Sequence, residues 1–243
     1  MSSPFVGEFA GTLVLTLLGD GVVANVLLKR SKAEGAGWMV IATGWAFAVL
    51  CGIFTAVAFG SPDAHINPAV TLASALMSSS FSKIVPYWSA QLLGAFAGAV
   101  LVWLFFLPHF KITDDQDIKR AVFCTAPAIR NYPSNLFCEM LGTTLLIVVI
   151  AAIGSRSLAP VGLAPGISPY FVSILVWAIG LSLGGTTGYA INPARDLGPR
   201  LAHALLPVAG KGSSDWAYAP VPILGPLAGA ALAAVVIKAA HIV

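Results

Sequence analysis

Charge is what this sequence has least of. Asp, Glu, Lys and Arg make up only 9% of its 243 residues, against about 25% in an average soluble domain, which argues against a water-soluble fold. The net charge of +3 is scattered along the chain without a run of five or six like charges, so nucleic-acid binding has no electrostatic footprint. Cysteine is scarce as well. Cys51, Cys124 and Cys138 are odd in number and lack the Cys/His spacing of a metal site, so they read as small buried hydrophobes. No nucleophile–base pair stands out. No catalytic residue, metal or cofactor is therefore expected, and the chain does not read as an enzyme.

What is present instead is apolar length. Hydrophobic residues make up 58% of the chain and the mean hydropathy is +0.88. A hydrocarbon core about 30 Å thick takes about 20 helical residues to cross, and six stretches fit: 4–28, 38–59, 84–107, 133–153, 170–187 and 216–242. Two further stretches, 67–77 and 192–206, reach only about halfway at 1.5 Å per residue. Each of these opens with Asn-Pro-Ala, and Asn is a favoured N-cap while Pro is tolerated at the first helical position. The expected fold is all-α and integral to the membrane, with six transmembrane helices and two re-entrant half-helices.

The chain also repeats itself. Glu8-x-x-Gly11-Thr12 recurs as Glu139-x-x-Gly142-Thr143, and Leu93-Gly94 with Ala97-Gly98-Ala99 recurs as Leu224-Gly225 with Ala228-Gly229-Ala230, all at an offset of 131 positions. The two Asn-Pro-Ala motifs are 125 apart. A unit with three crossings begins and ends on opposite sides, so the second copy must sit upside down relative to the first. The expected organisation is one membrane domain over 1–243, with inverted repeats of roughly 4–107 and 133–242 joined by an extramembrane loop, 108–132.

Inversion brings the half-helices in from opposite faces, with Asn67 and Asn192 meeting near the midplane. Two helix N-termini then aim unsatisfied N–H groups and partial positive charge at one constriction, which repels cations. Ahead of the half-helices, Ala64-His65-Ile66 and Gly188-Tyr189-Ala190-Ile191 are non-helical. Their unpaired carbonyls are tolerable in a membrane only along a wet cavity. A ladder of acceptors leading to the Asn donors suits a neutral solute and suits a bare ion poorly. His65 reads equally as pore lining or as a hydrogen-bonded packing residue. Glu8 and Glu139 are costly carboxylates inside apolar spans, expected to accept N–H bonds from the re-entrant segments. Arg195 opposes the dipole of its helix and is expected to face the pore. Asp196 complements that dipole and is expected to pair with Arg200.

The segments Ala64-His65-Ile66-Asn67-Pro68-Ala69-Val70-Thr71 and Gly188-Tyr189-Ala190-Ile191-Asn192-Pro193-Ala194-Arg195-Asp196-Leu197-Gly198-Pro199-Arg200 resemble the aquaporin and glycerol facilitator family, and the resemblance extends over essentially the whole chain. Screening of cations by an arginine and by half-helix dipoles is the accepted account of aquaporin-type channels and comes with the resemblance. The resemblance implies a homotetramer with one pore per subunit. Asp196 directly after Asn-Pro-Ala-Arg looks like the glycerol-conducting branch. The family's four-residue filter maps by resemblance to Arg195, Tyr189, Gly180 and an aromatic of the second span. Gly180 would leave space that a His, as in water-selective members, would block. Ungapped counting from Asn67 selects Phe47 as the aromatic. Two extra residues in the loop Gly60-Ser61-Pro62-Asp63 select Trp45, which is preferred. Tyr189 stands where glycerol channels commonly carry Phe, adding a hydroxyl to the wall.

The resemblance thus implies a passive channel in the cell membrane for glycerol, related polyols and some water. Gly19-Asp20-Gly21-Val22-Val23 resembles short bacterial facilitators, some of which pass protonated small organic acids such as lactic acid, so that permeant stays open. A proton-coupled secondary transporter working through Glu8 or Glu139 is the alternative of a different class. The family orientation, with both termini in the cytoplasm, leaves Lys29, Arg30, Lys32, Lys111, Lys119, Arg120 and Arg130 outside, against the usual charge bias.

Overall fold

The computed structural model describes residues 2–242 and contains ten helices among them: α1 (Pro4–Leu27), α2 (Trp38–Ala58), α3 (Pro68–Ser78), α4 (Ile84–Phe105), α5 (Leu107–Ile112), α6 (Gln116–Phe123), α7 (Tyr132–Ile153), α8 (Ser168–Ser182), α9 (Pro193–Leu205) and α10 (Pro220–Ala239). Helices α1, α2, α4, α7 and α10 are long and apolar enough to cross a membrane. The expected fifth span, 170–187, is shorter than its apolar composition suggested. Helix α8 runs for 15 residues, about 22 Å at 1.5 Å per residue, and residues 183–187 form turns. Gly184 marks the reason. A Cβ there would stand 2.6 Å from Tyr189 Cδ1 and 2.7 Å from Trp38 Cζ2, so the chain leaves the helix where the re-entrant segment needs the space. Helix α10 likewise begins at Pro220 rather than at 216, after turns bonded from Tyr218 N to Asp215 O and from Ala219 N to Trp216 O.

With little hydrophobic drive between helices in lipid, small residues that allow close approach hold a bundle together. The repeat uses them symmetrically. A Cβ on Gly98 of α4 would lie 2.6 Å from the carbonyl oxygen of Leu13 on α1, and one on Gly229 of α10 would lie 2.4 Å from the carbonyl oxygen of Met140 on α7. Each half thus closes its first helix on its third at backbone distance.

The half-helices start where the capping chemistry dictates. Asn67 caps α3 by accepting from Ala69 N at 2.8 Å, and Asn192 caps α9 by accepting from Ala194 N at 3.0 Å and Arg195 N at 3.3 Å. At the far end of α9, Lys211 donates to the carbonyls of His203, Ala204 and Leu206, groups that a helix C-terminus leaves unpaired.

The segment expected as a plain loop, 108–132, is more ordered than that. It carries most of α5 and all of α6, with Phe110, Val122 and Phe123 buried. Four of the basic residues that strain the charge count are engaged locally: Lys29 with Glu34, Arg120 with Asp117, Arg130 with Asp215, and Lys119 with the carbonyl of Ala209.

Candidate functional site

The two halves grip each other at the motifs. Asn67 Nδ2 donates to the carbonyl of Ile191 at 2.9 Å, and Asn192 Nδ2 donates to the carbonyl of Ile66 at 2.9 Å. This corrects part of the carbonyl ladder. The carbonyls of Ile66 and Ile191 are not unpaired, because each accepts from the asparagine of the other half, which leaves each oxygen one further lone pair. Each Asn amide retains one further N–H, since a primary amide has two.

The re-entrant segments take their shape from an alternation that the sequence did not announce. Ala64, Ile66, Tyr189 and Ile191 all lie in the left-handed region, with φ of 43°, 42°, 36° and 42°. For β-branched Ile and bulky Tyr this conformation is costly and persists only where surrounding structure enforces it. Glu8 and Glu139 supply that enforcement. Glu8 accepts from His65 N at 2.8 Å, Ile66 N at 2.7 Å, Ser61 Oγ at 2.7 Å and Gln91 Nε2 at 2.7 Å. Glu139 accepts from Ala190 N at 3.0 Å, Ile191 N at 2.8 Å and Thr187 Oγ1 at 2.7 Å. Both carboxylates are buried, and charge-assisted bonds of this kind offset the cost of their burial.

A cavity of about 510 Å³ runs past both motifs and is lined by Trp45, His65, Asn67, Tyr189, Asn192 and Arg195, with Ala64, Ile66, Ala190 and Ile191 also on its wall. His65 serves in both of the ways its sequence allowed: it lines the cavity, and its Nδ1 lies 3.1 Å from Thr71 Oγ1 with its ring edge-on to Tyr87. The Arg195 guanidinium lies 4.0 Å from the centroid of the Trp45 ring, and among the described residues it makes no hydrogen bond to the protein. Its donors remain unspent at the wall. Trp45 is 4% exposed, whereas Phe47 is 57% exposed and does not line the cavity.

Gly180 and Gly188 do not line the cavity either. A Cβ on Gly180 would stand 2.9 Å from Tyr189 Cζ and from its hydroxyl, so the room this glycine leaves is filled by the Tyr189 ring. The Gly180 carbonyl accepts from Trp38 Nε1 at 2.9 Å, and Trp38 packs edge-on against Tyr189. The sequence reading missed Trp38, and nothing in the local sequence pointed to it. Asp196 pairs with Arg200 as expected, accepting from Nε at 2.7 Å and Nη2 at 2.8 Å. It also accepts from Thr125 N and Oγ1, which ties the segment after α6 to the start of α9. Asp20, passed over as a site residue, lies buried behind the wall with a carboxylate oxygen 3.9 Å from Arg195 Nη1. An acid inside an apolar run was the signal that could have found it.

This geometry agrees with what the chain is similar to. The profile of the family described as Major intrinsic protein matches residues 1–237. The chain belongs to the major intrinsic protein family. Among members of that family, a protein of Thermotoga maritima named probable glycerol uptake facilitator protein is 53% identical over 233 residues, covering 96% of this chain and 97% of the relative. A protein of Lactiplantibacillus plantarum named D/L-lactic acid transporter is 42% identical over 239 residues, covering 96% of each. An X-ray structure of the aquaglyceroporin from Plasmodium falciparum superposes with a TM-score of 0.81 at 28% identity, covering 96% of this chain and 94% of that one. As a major intrinsic protein with several helices capable of spanning a bilayer, the chain is a multi-pass membrane protein with the all-helical aquaporin fold.

Proposed function

We propose that this protein is a passive channel for small neutral polyols, glycerol foremost, with some water, in the cell membrane. Trp45, Tyr189 and Arg195 form the filter, with Gly180 seating Tyr189, and Asn67 and Asn192 form the central constriction. The observation that carries the reading is the convergence of two half-helix N-termini and an unspent guanidinium on one cavity whose remaining lining is largely apolar. Such a lining hydrogen-bonds hydroxyls at its polar groups, accepts a carbon skeleton against its apolar ones, and repels cations through the positive ends of the two half-helices. The glycerol uptake facilitator relative supports the choice of permeant. By the same kinship the functional unit is a homotetramer with a pore in each subunit and both termini in the cytoplasm.

The L. plantarum relative named a D/L-lactic acid transporter favours a second permeant, protonated lactic acid, through the same pore. Proton-coupled transport through Glu8 or Glu139 finds no support, because every oxygen of both carboxylates already accepts protein donors. Stopped-flow light scattering on proteoliposomes tests the reading. Nonsaturating glycerol flux that follows its gradient is expected, and saturable uptake driven by a proton gradient overturns it.

A further inference from the structure

Arg195 is an arginine in an awkward place. Its side chain is 10% exposed, it sits in the first turn of α9 where the helix dipole is already positive, and a guanidinium stays charged at any accessible pH. A buried charge of this kind needs compensation. The nearby acids are already committed elsewhere: Asp196 to Arg200 and Thr125, and Glu139 to Thr187, Ala190 and Ile191. Helices α2 and α4 carry no Asp, Glu, Lys or Arg. On α6, Arg120 pairs with Asp117 and Lys119 bonds Ala209.

That leaves Asp20 on α1. It is fully buried, neither of its carboxylate oxygens has a hydrogen-bond partner, and its one ion-pair contact among the described residues is Arg195, at 3.9 Å. Thr16, one turn earlier on the same face, is also buried with its hydroxyl unpartnered. Asp20 does not line the cavity. It approaches Arg195 from behind, next to Gly19, whose missing side chain makes room for the Trp45 ring.

We infer that Asp20 is the counter-charge of Arg195, and that this pair sets the net charge of the filter and with it the discrimination between neutral solutes and small anions. This rests on the channel reading. With Asp20 charged, Arg195 presents donors to a hydroxyl without making the constriction a net cation, so an anion gains no electrostatic advantage over a polyol. With Asp20 neutralised, the same donors stand in a net positive field that favours anions. Asp20 is therefore a positioning and specificity-determining residue that acts through Arg195, not one that touches the permeant.

Two measurements test this. In proteoliposomes with a potassium ionophore, potassium methanesulfonate, a permanently ionised small anion, is compared with glycerol. Asp20→Asn should raise the methanesulfonate-to-glycerol flux ratio about tenfold, equivalent to about 1.4 kcal/mol, and Asp20→Glu should return most of it. In an Arg195→Val background, adding Asp20→Asn should shift the ratio no further, the non-additivity expected of a coupled pair. An unchanged ratio in Asp20→Asn, or an equal shift without Arg195, overturns the inference. The second measurement needs neither flux nor a variant at position 20. Infrared difference spectra of aspartate-labelled wild type against Arg195→Val should show a carboxylate converting to a carboxylic acid, and a wild type without that carboxylate overturns the pair. Wild-type vesicles that pass no neutral solute sink the channel reading alone, and the infrared result still decides the charge pair.

Discussion

The Trp45 ring occupies the place that a Cβ on Gly19 would need. One residue of α1 therefore fixes how far the indole can retreat from the cavity, and with it the surface over which Arg195 lies.

Gly19→Ala should push the indole toward the cavity. Overpacking of this kind costs about 1–3 kcal/mol, so a lowered melting temperature is expected together with a several-fold loss of glycerol flux and a smaller loss of water flux. Stopped-flow scattering with both solutes on the same vesicles checks it; equal losses for the two would show that the ring had not moved into the pore.

Tyr189 and Gly180 make a linked pair of predictions. The Tyr189 hydroxyl is buried without a partner, a state that costs about 1–3 kcal/mol. Tyr189→Phe should therefore be neutral to stabilising and leave the balance between polyol and water flux little changed. Gly180→His should displace the ring that fills its space and slow glycerol far more than water. Unchanged solute flux after Gly180→His would remove Gly180 from the filter's support.

Glu8→Gln and Glu139→Gln replace a pure acceptor with a group that turns N–H donors toward backbone N–H groups. Each lost bond to a charged acceptor is worth about 1.5–3 kcal/mol, so both variants should yield less folded protein. Glu8→Gln should suffer more, because Glu8 holds four donors and Glu139 three. Recovery of monodisperse protein and its melting temperature measure this.

Outside the membrane, the hydrogen bond from Arg130 holds the Asp215 carboxyl below its ordinary range. A depressed carboxylate contributes stability that is fully present above its unfolded value, about pH 4, and is lost as pH falls through the folded value. The pair is partly exposed, so the contribution is about 0–1 kcal/mol. Asp215→Asn should lower the melting temperature slightly at neutral pH and flatten its decline below about pH 4; Asn also tolerates the left-handed φ of 51° at this position. An acid limb identical to the wild type would exclude the pair from the titration.

Much of this was legible because the chemistry was local. Asn67 and Asn192 announce helix starts by capping rules, and Glu8 and Glu139 announce buried partners by the cost of a carboxylate among apolar neighbours. What stayed hidden depends on segments far apart in the chain. That Ile66 and Ile191 give their carbonyls to the opposite asparagine follows only once the re-entrant segments abut. Tyr189 fills the space at Gly180 only because α8 stops at Ser182, and hydropathy alone extended that helix by five residues to Thr187. Asp20 obeyed the same rule as Glu8, but its partner, Arg195, lies 175 positions further along the sequence.

The exchanged bonds between the motifs also bear on how the chain is made. Asn67 and the carbonyl it donates to are separated by 124 positions, so at about 5–20 residues per second the ribosome needs roughly 6–25 s to supply the second after the first. Through that interval the nascent first half sits in the bilayer with an amide its own repeat does not satisfy, and the wall of the conduit closes only once the re-entrant segment of the second repeat has arrived.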